Sequence, residues 1–139
     1  NYNEDTRYSD TEMATHDNYS LPCTFVNKLF EIEDISKYDV ICINEAQFFE
    51  DLVPFCKKAL LLNKNIYACG LDGDYKQEKF GHLLDLIPLS NSITKLHAFC
   101  SVCKNGTPAH FTKRICSNHE QKLIGTDEYI PVCRQHLSS

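Results

Sequence analysis

Two pairs of metal-ligand residues carry the clearest chemistry in this sequence. Cys100 and Cys103 form one, Cys133 and His136 the other, each with two residues between its members. Ligands three positions apart reach one ion from a single tight turn, and two such turns supply the four sulfur and nitrogen donors that tetrahedral zinc prefers. A closed set of four implies a structural ion, because no coordination position is left for a reacting water. Any reaction must be sought elsewhere in the chain. Cys23, Cys42, Cys56 and Cys69 lack a partner at this spacing and lie in apolar runs, where they read as small buried hydrophobes.

Carboxylates and aromatics form the second chemical grouping. Asn44-Glu45-Ala46-Gln47-Phe48-Phe49 follows the apolar run Val40-Ile41-Cys42-Ile43, and Gly70-Leu71-Asp72-Gly73-Asp74-Tyr75 follows Ile66-Tyr67-Ala68-Cys69. One acidic residue after a strand is often only a helix cap. Two such segments in corresponding positions point to a site.

The elements that must hold these residues follow from the pattern. The two runs, with a weaker third at Ile93-Thr94-Lys95-Leu96, are nearly continuous in apolar character, which suits strands of a parallel sheet buried on both faces. Between the first two, apolar residues at 52, 55, 56, 59, 60 and 62 keep helical spacing, with Pro54 in the first turn and Asn63 as the stop. Strand, helix, strand is a βαβ unit, whose right-handed crossover places ligands beyond the carboxyl ends of the strands. That is where the two acidic segments fall. Past Phe99 the chain turns to Cys, Gly, Thr and Pro without a long periodic segment. Residues 1–96 therefore read as an α/β core and residues 97–139 as a zinc-binding domain.

A chain of 139 residues suffices for one core with such an appendage. Eight cysteines without a signal-peptide pattern imply a reducing, cytoplasmic compartment. With net charge −5 and no basic face, nucleic acid is not an expected partner. No apolar run is long enough to span a bilayer.

Several strings together resemble the type II thymidine kinases, the cytosolic and large-DNA-virus class. They are Asp5-Thr6-Arg7-Tyr8-Ser9, Thr15-His16-Asp17, Asn44 to Phe49, Leu71-Asp72-Gly73, Phe80-Gly81, Thr112-Lys113-Arg114 and Cys133-Arg134-Gln135-His136. The resemblance runs from about residue 4 to residue 137. It implies a P-loop NTPase-like parallel sheet with helices, a small zinc domain with a lasso loop, a homotetramer, and transfer of the γ-phosphate of ATP, with Mg²⁺, to the 5′-hydroxyl of thymidine. Under it Glu45 is the catalytic carboxylate, and Arg7 and Asp5 lie beside the transferred phosphoryl group and the hydroxyl. Phe48, Leu71 and Phe80 pack around the nucleoside, and Thr112 meets the thymine methyl. Gly125 and Tyr129 belong to the lasso between Ile115 and Pro131, which the zinc site anchors at both ends.

Two departures qualify this. No GxxxxGK[ST] string is present, so the resemblance implies a chain truncated at its amino terminus, lacking its first strands and inactive toward ATP as it stands. Asn44 stands where the family usually has the magnesium-associated aspartate, and its neutral oxygen should weaken the hold on a hard cation. The competing readings are a noncatalytic member kept for nucleoside binding or assembly, and a zinc-ribbon module for nucleic acid. The acidic balance disfavours the second.

Overall fold

The computed structural model describes residues 1–3, 11–14, 17, 19–115 and 128–138. They fall into two compact units, Asn1–Asp72 with Phe80–Ser90, and Gly73–Lys79 with Asn91–Ser139.

In the first unit, β1 (Glu12–Ala14) and β2 (Ser20–Pro22) form an antiparallel pair. Strands β3 (Val40–Ile43) and β4 (Asn65–Ala68) pair in parallel, from Val40 opposite Asn65 to Ile43 opposite Ala68, and α1 (Leu52–Leu61) is the connection between them. This is the expected βαβ unit. Helix α1 forms because Leu52, Phe55, Cys56 and Ala59 make one apolar stripe, and all four are buried. Each large apolar side chain in that stripe contributes roughly 1.5–3 kcal/mol by leaving water.

The start of α1 is held from outside. The carboxylate of its capping residue Asp51 accepts the Phe30 backbone N–H at 3.0 Å, while the Asp51 carbonyl accepts from Phe55 at 3.0 Å. Phe30 stacks edge-on against Phe55 at 5.6 Å between ring centroids. At the other end Asn63 adopts φ 55°, and the amides of Asn63 and Lys64 donate back to Leu60 and Ala59 at 2.9 and 3.0 Å. That is a Schellman termination, in which asparagine tolerates the left-handed residue well.

Three sequence expectations need correction. Residues 91–97 carry no regular structure, and Ile93 and Leu96 are exposed, so the third strand is absent among the described residues. A strand exists only when a neighbouring backbone accepts and donates its hydrogen bonds, and no described segment lies alongside. Among the described residues the β3–β4 sheet is covered on one face only. Ile43 is buried on the helix side, whereas Val40, Cys42 and Tyr67 on the other face are exposed, Tyr67 by 68%. Of the four cysteines read as buried hydrophobes, only Cys56 is buried; Cys23 is half-buried, and Cys42 and Cys69 are exposed.

In the second unit, β5 (Ala98–Phe99) pairs antiparallel with β6 (Pro108–Ala109), and β7 (Phe111–Arg114) with β8 (Tyr129–Val132), ahead of the short helix α2 (Arg134–Leu137). Its core is Cys100, Ala109 and Val132, against which Cys103, Phe111, Ile130, Cys133 and Leu137 pack. The hairpin at 73–79 belongs to this unit. Buried Asp74 holds its turn, accepting the amides of Lys76 and Glu78 at 2.8 and 3.0 Å. No helix among the described residues is long and apolar enough to cross a membrane.

Candidate active site and metal centre

The second unit brings the four predicted metal ligands together. Cys100 follows β5, and Cys133 immediately precedes α2, which carries His136. The knuckle closes because the Cys100 amide donates to Thr107 at 2.8 Å, and the Lys104 amide donates back to the Cys100 carbonyl at 3.2 Å with Lys104 in the left-handed region. One donor atom from each of Cys100, Cys103, Cys133 and His136 lies within 4.8 Å of the others.

Bond lengths test whether zinc fits. With Zn–S about 2.3 Å and Zn–N about 2.05 Å, a tetrahedron places two sulfurs ~3.8 Å apart and a sulfur and a nitrogen ~3.6 Å apart. The Cys103 and Cys133 sulfurs are 3.8 Å apart, and His136 Nδ1 lies 3.7, 3.4 and 3.3 Å from the sulfurs of Cys100, Cys103 and Cys133. The donors therefore fit a zinc ion approached through His136 Nδ1.

The electrostatics of the thiols are divided. Burial pushes the Cys100 thiol up, but hydrogen bonds from the backbone at Cys103, Cys133 and Val102, together with His136, outweigh it and bring the group down to about 6. Burial raises Cys103, and the neighbouring Cys100 sulfur adds to that. Lys113 Nζ donates to the His136 carbonyl at 3.2 Å, tying α2 to β7.

The first unit holds the first acidic strand-end segment and the second as far as Asp72. Glu45, one residue past Asn44 at the end of β3, has φ 53° and ψ 42°, a left-handed backbone that costs an ordinary residue roughly 1–2 kcal/mol. Two bonds hold it there: the Ala46 amide donates to the Cys69 carbonyl at 2.9 Å, and the Phe48 amide to the Glu45 carbonyl at 3.1 Å. Such strain persists only where the surrounding structure holds it in place. Asn44 Nδ2 donates to Asn1 Oδ1 at 3.1 Å, and Asn44 Oδ1 accepts from the Cys69 thiol at 3.2 Å. Burial raises the Cys69 thiol, with the charge of Glu45 adding to the effect.

Aromatic residues border Glu45. Phe48 meets Phe80 edge-on at 5.5 Å and Tyr2 at 5.1 Å between centroids, and Phe80 is buried. Leu71 is 45% exposed near the start of the second segment, and its amide donates to Gln47 Oε1 at 3.1 Å. Glu45, Phe48, Leu71 and Phe80 thus share one neighbourhood of the first unit. Thr112 and Tyr129 lie on β7 and β8 of the second unit, opposite Pro131 and Arg114 respectively. Asp5, Arg7 and Gly125 lie outside the described residues.

Two side chains stand at these positions that the sequence offered only within longer motifs, with no role of their own. Gln47 is a buried amide bonded to Glu45, and its signal was a lone polar residue between Ala46 and Phe48. Arg114 lies between the rings of Tyr75 and Tyr129, 3.9 and 4.9 Å from their centroids, and donates to the Tyr129 hydroxyl. Tyr75 is distant in sequence, so no local pattern announces that stack.

Comparison with known proteins adds a separate line. The family described as thymidine kinase matches residues 1–137. A rice protein named thymidine kinase is 46% identical over 141 residues, covering 96% of this chain and 51% of its own length. The chicken protein named cytosolic thymidine kinase is 37% identical, covering 96% of this chain and 59% of its own length. A Myxoma virus (strain Uriarra) thymidine kinase is 36% identical, covering 97% and 75%. This chain spans 51% and 59% of the length of the rice and chicken relatives.

Proposed function

This chain belongs to the thymidine kinase family, and from that premise we propose that it supplies the acceptor-nucleoside part and the zinc-stapled part of an enzyme that phosphorylates the 5′-hydroxyl of thymidine. The observation that carries the proposal is Glu45, held in a strained backbone at the end of β3 beside the Phe48–Phe80 contact. In the reaction its carboxylate accepts the proton of the 5′-hydroxyl. The hydroxyl oxygen bonds to the γ-phosphorus of ATP as the bond to the β,γ-bridging oxygen breaks, releasing ADP.

Phe48 and Phe80 of the first unit offer ring edges and faces to the nucleoside, with Leu71 beside them; Thr112 and Tyr129 are assigned the roles the family resemblance implies for them. Arg7 would balance the phosphoryl charge and Asp5 would orient the hydroxyl. Gly125, in a lasso spanning residues 115–131, would read the base through its backbone. Tying that loop at both ends through the Cys100–Cys103–Cys133–His136 cluster lowers the entropy lost when it orders around the ligand. The functional division is then a nucleotide-kinase core at 1–96 and a zinc and lasso domain at 97–139.

Magnesium, when bound with ATP, neutralises phosphate charge. Asn44 offers it a neutral oxygen already accepting from Cys69, so we assign the charged share of that role to Glu45 or Asp72. The 139 residues contain no GxxxxGK[ST], and the phosphate cradle and the remaining P-loop NTPase-like strands are assigned to chain outside them. A cytoplasmic homotetramer fits this reading. The missing phosphate string and Asn44 also favour a noncatalytic nucleoside-binding member, which the same experiment separates.

Calorimetric titration of thymidine into the zinc-loaded chain, with deoxycytidine as control, tests the acceptor site. Thymidine-selective binding is expected, followed by phosphate transfer in a version carrying a phosphate loop. A folded, zinc-loaded protein that ignores thymidine overturns the proposal, and binding without transfer in the longer version selects the noncatalytic reading.

A further inference from the structure

Gln47 is only 3% exposed, one of two buried polar residues among those described. A buried carboxamide destabilises the fold unless both of its ends are bonded. Both are. Its Nε2 donates to Glu45 Oε2 at 2.7 Å, and its Oε1 accepts the Leu71 amide at 3.1 Å. The orientation of the amide is unambiguous, because the Leu71 backbone N–H can only donate and therefore faces Oε1.

The backbone approaches Gln47 closely at two glycines. A Cβ on Gly70 would lie 2.1 Å from Gln47 Oε1, and one on Gly81 would lie 2.0 Å from the Gln47 carbonyl oxygen. Two glycines therefore make the space in which this residue sits, one against its side chain and one against its backbone. Gly81 itself has φ +55°. The result is a clamp joining the segments that follow β3 and β4, with the Glu45 carboxylate fixed at one end and the Leu71 backbone at the other.

We infer that Gln47 is the positioning residue for Glu45, setting the plane of its carboxylate toward the acceptor hydroxyl through the Nε2 donor while the Leu71 bond holds the amide in register. The inference rests on the kinase reading for the role of Glu45. It goes beyond that reading in making the reactivity of Glu45 depend on a buried neighbouring amide. A carboxylate on a single flexible side chain samples many rotamers, and anchoring one oxygen keeps the other within the narrow range of angles that proton transfer tolerates.

Gln47→Glu isolates the claim. It keeps an acceptor for the Leu71 amide and replaces the donor facing Glu45 with a second carboxylate oxygen. In the full chain the expected result is a fall of roughly 100-fold in kcat with KM for thymidine changed by less than about threefold, since positioning acts on the chemical step rather than on binding. The exchanged double variant Glu45→Gln/Gln47→Glu supplies a readout independent of activity. It rebuilds the same hydrogen bond with donor and acceptor reversed, so stability lost in Gln47→Glu returns while catalysis does not. Additive stability losses in the double variant would show that the two side chains are not bonded and overturn the inference. Recovery of stability with kcat of Gln47→Glu within about twofold of wild type would leave Gln47 a structural amide and equally overturn it. A wild-type full chain that transfers no phosphate refutes the kinase reading and the positioning role with it, and the exchange then reports on the bond alone.

Discussion

Replacing Gly81 by alanine perturbs the clamp from its backbone side, and Gly106 supplies a matched control. Both glycines have positive φ, +55° and +83°, so alanine is strained at each by about 1 kcal/mol or somewhat more. They differ in what a methyl group meets. At Gly106 no atom lies within 4 Å; at Gly81 the new carbon falls 2.0 Å from the Gln47 carbonyl oxygen, 2.9 Å from its carbon and 3.2 Å from its Cα. Those are backbone atoms that cannot rotate aside, so relieving the overlap requires one chain to move by more than about 1 Å, at a cost of roughly 1–3 kcal/mol. The movement also stretches the bonds from Gln47 to Glu45 and Leu71, worth roughly 1 kcal/mol each and more where a carboxylate is the partner. Gly81→Ala should therefore lose about 3–5 kcal/mol, against about 1 kcal/mol for Gly106→Ala. Urea denaturation of the zinc-loaded protein, followed by circular dichroism, measures both. Losses within about 0.5 kcal/mol of each other would refute the clamp argument, because the two variants would then share only their backbone strain.

Three further outcomes follow from the same geometry. Zinc should bind at one ion per chain by elemental analysis; His136→Cys should retain it, whereas Cys103→Ala should lose it and open the β7–β8 region. Full zinc content in Cys103→Ala would contradict the four-ligand site. Burial pushes the Cys56 thiol from 9.0 up to about 11, so the folded chain keeps a proton that the unfolded chain releases. The resulting stability is complete below pH 9.0 and is lost as pH rises to about 11, so the wild-type advantage over Cys56→Ala should shrink across that window, and a constant difference would count against it. Asn44→Asp in the full chain should tighten magnesium by restoring a charged oxygen while keeping an acceptor for the Cys69 thiol, and an unchanged magnesium dependence of the rate would reject that role for the position.

Much of the architecture was legible because it depends on neighbours in sequence. The stripe of Leu52, Phe55, Cys56 and Ala59, with Pro54 in its first turn and Asn63 at its stop, defines α1 within one short segment. Two-residue gaps in Cys100–Cys103 and Cys133–His136 are enough to name the ligands, since a knuckle turn is itself local. The run Ile93–Leu96 shows where such reading fails. Its composition suits a strand, but a strand is a relation between two segments, and nothing described pairs with it.

By itself, then, the sequence determined the βαβ order, the bounds of α1, the four Cys and His side chains that cluster, and the acidic segments beyond β3 and β4. Tertiary structure alone decided which face of the sheet is covered, that Cys42 and Cys69 are exposed, that Arg114 lies between Tyr75 and Tyr129, and that Gln47 joins Glu45 to Leu71 between two glycines. The physical reason is range. Helical periodicity, turn chemistry and ligand spacing act over a few residues, whereas burial and hydrogen-bond satisfaction are set by whatever the folded chain brings alongside.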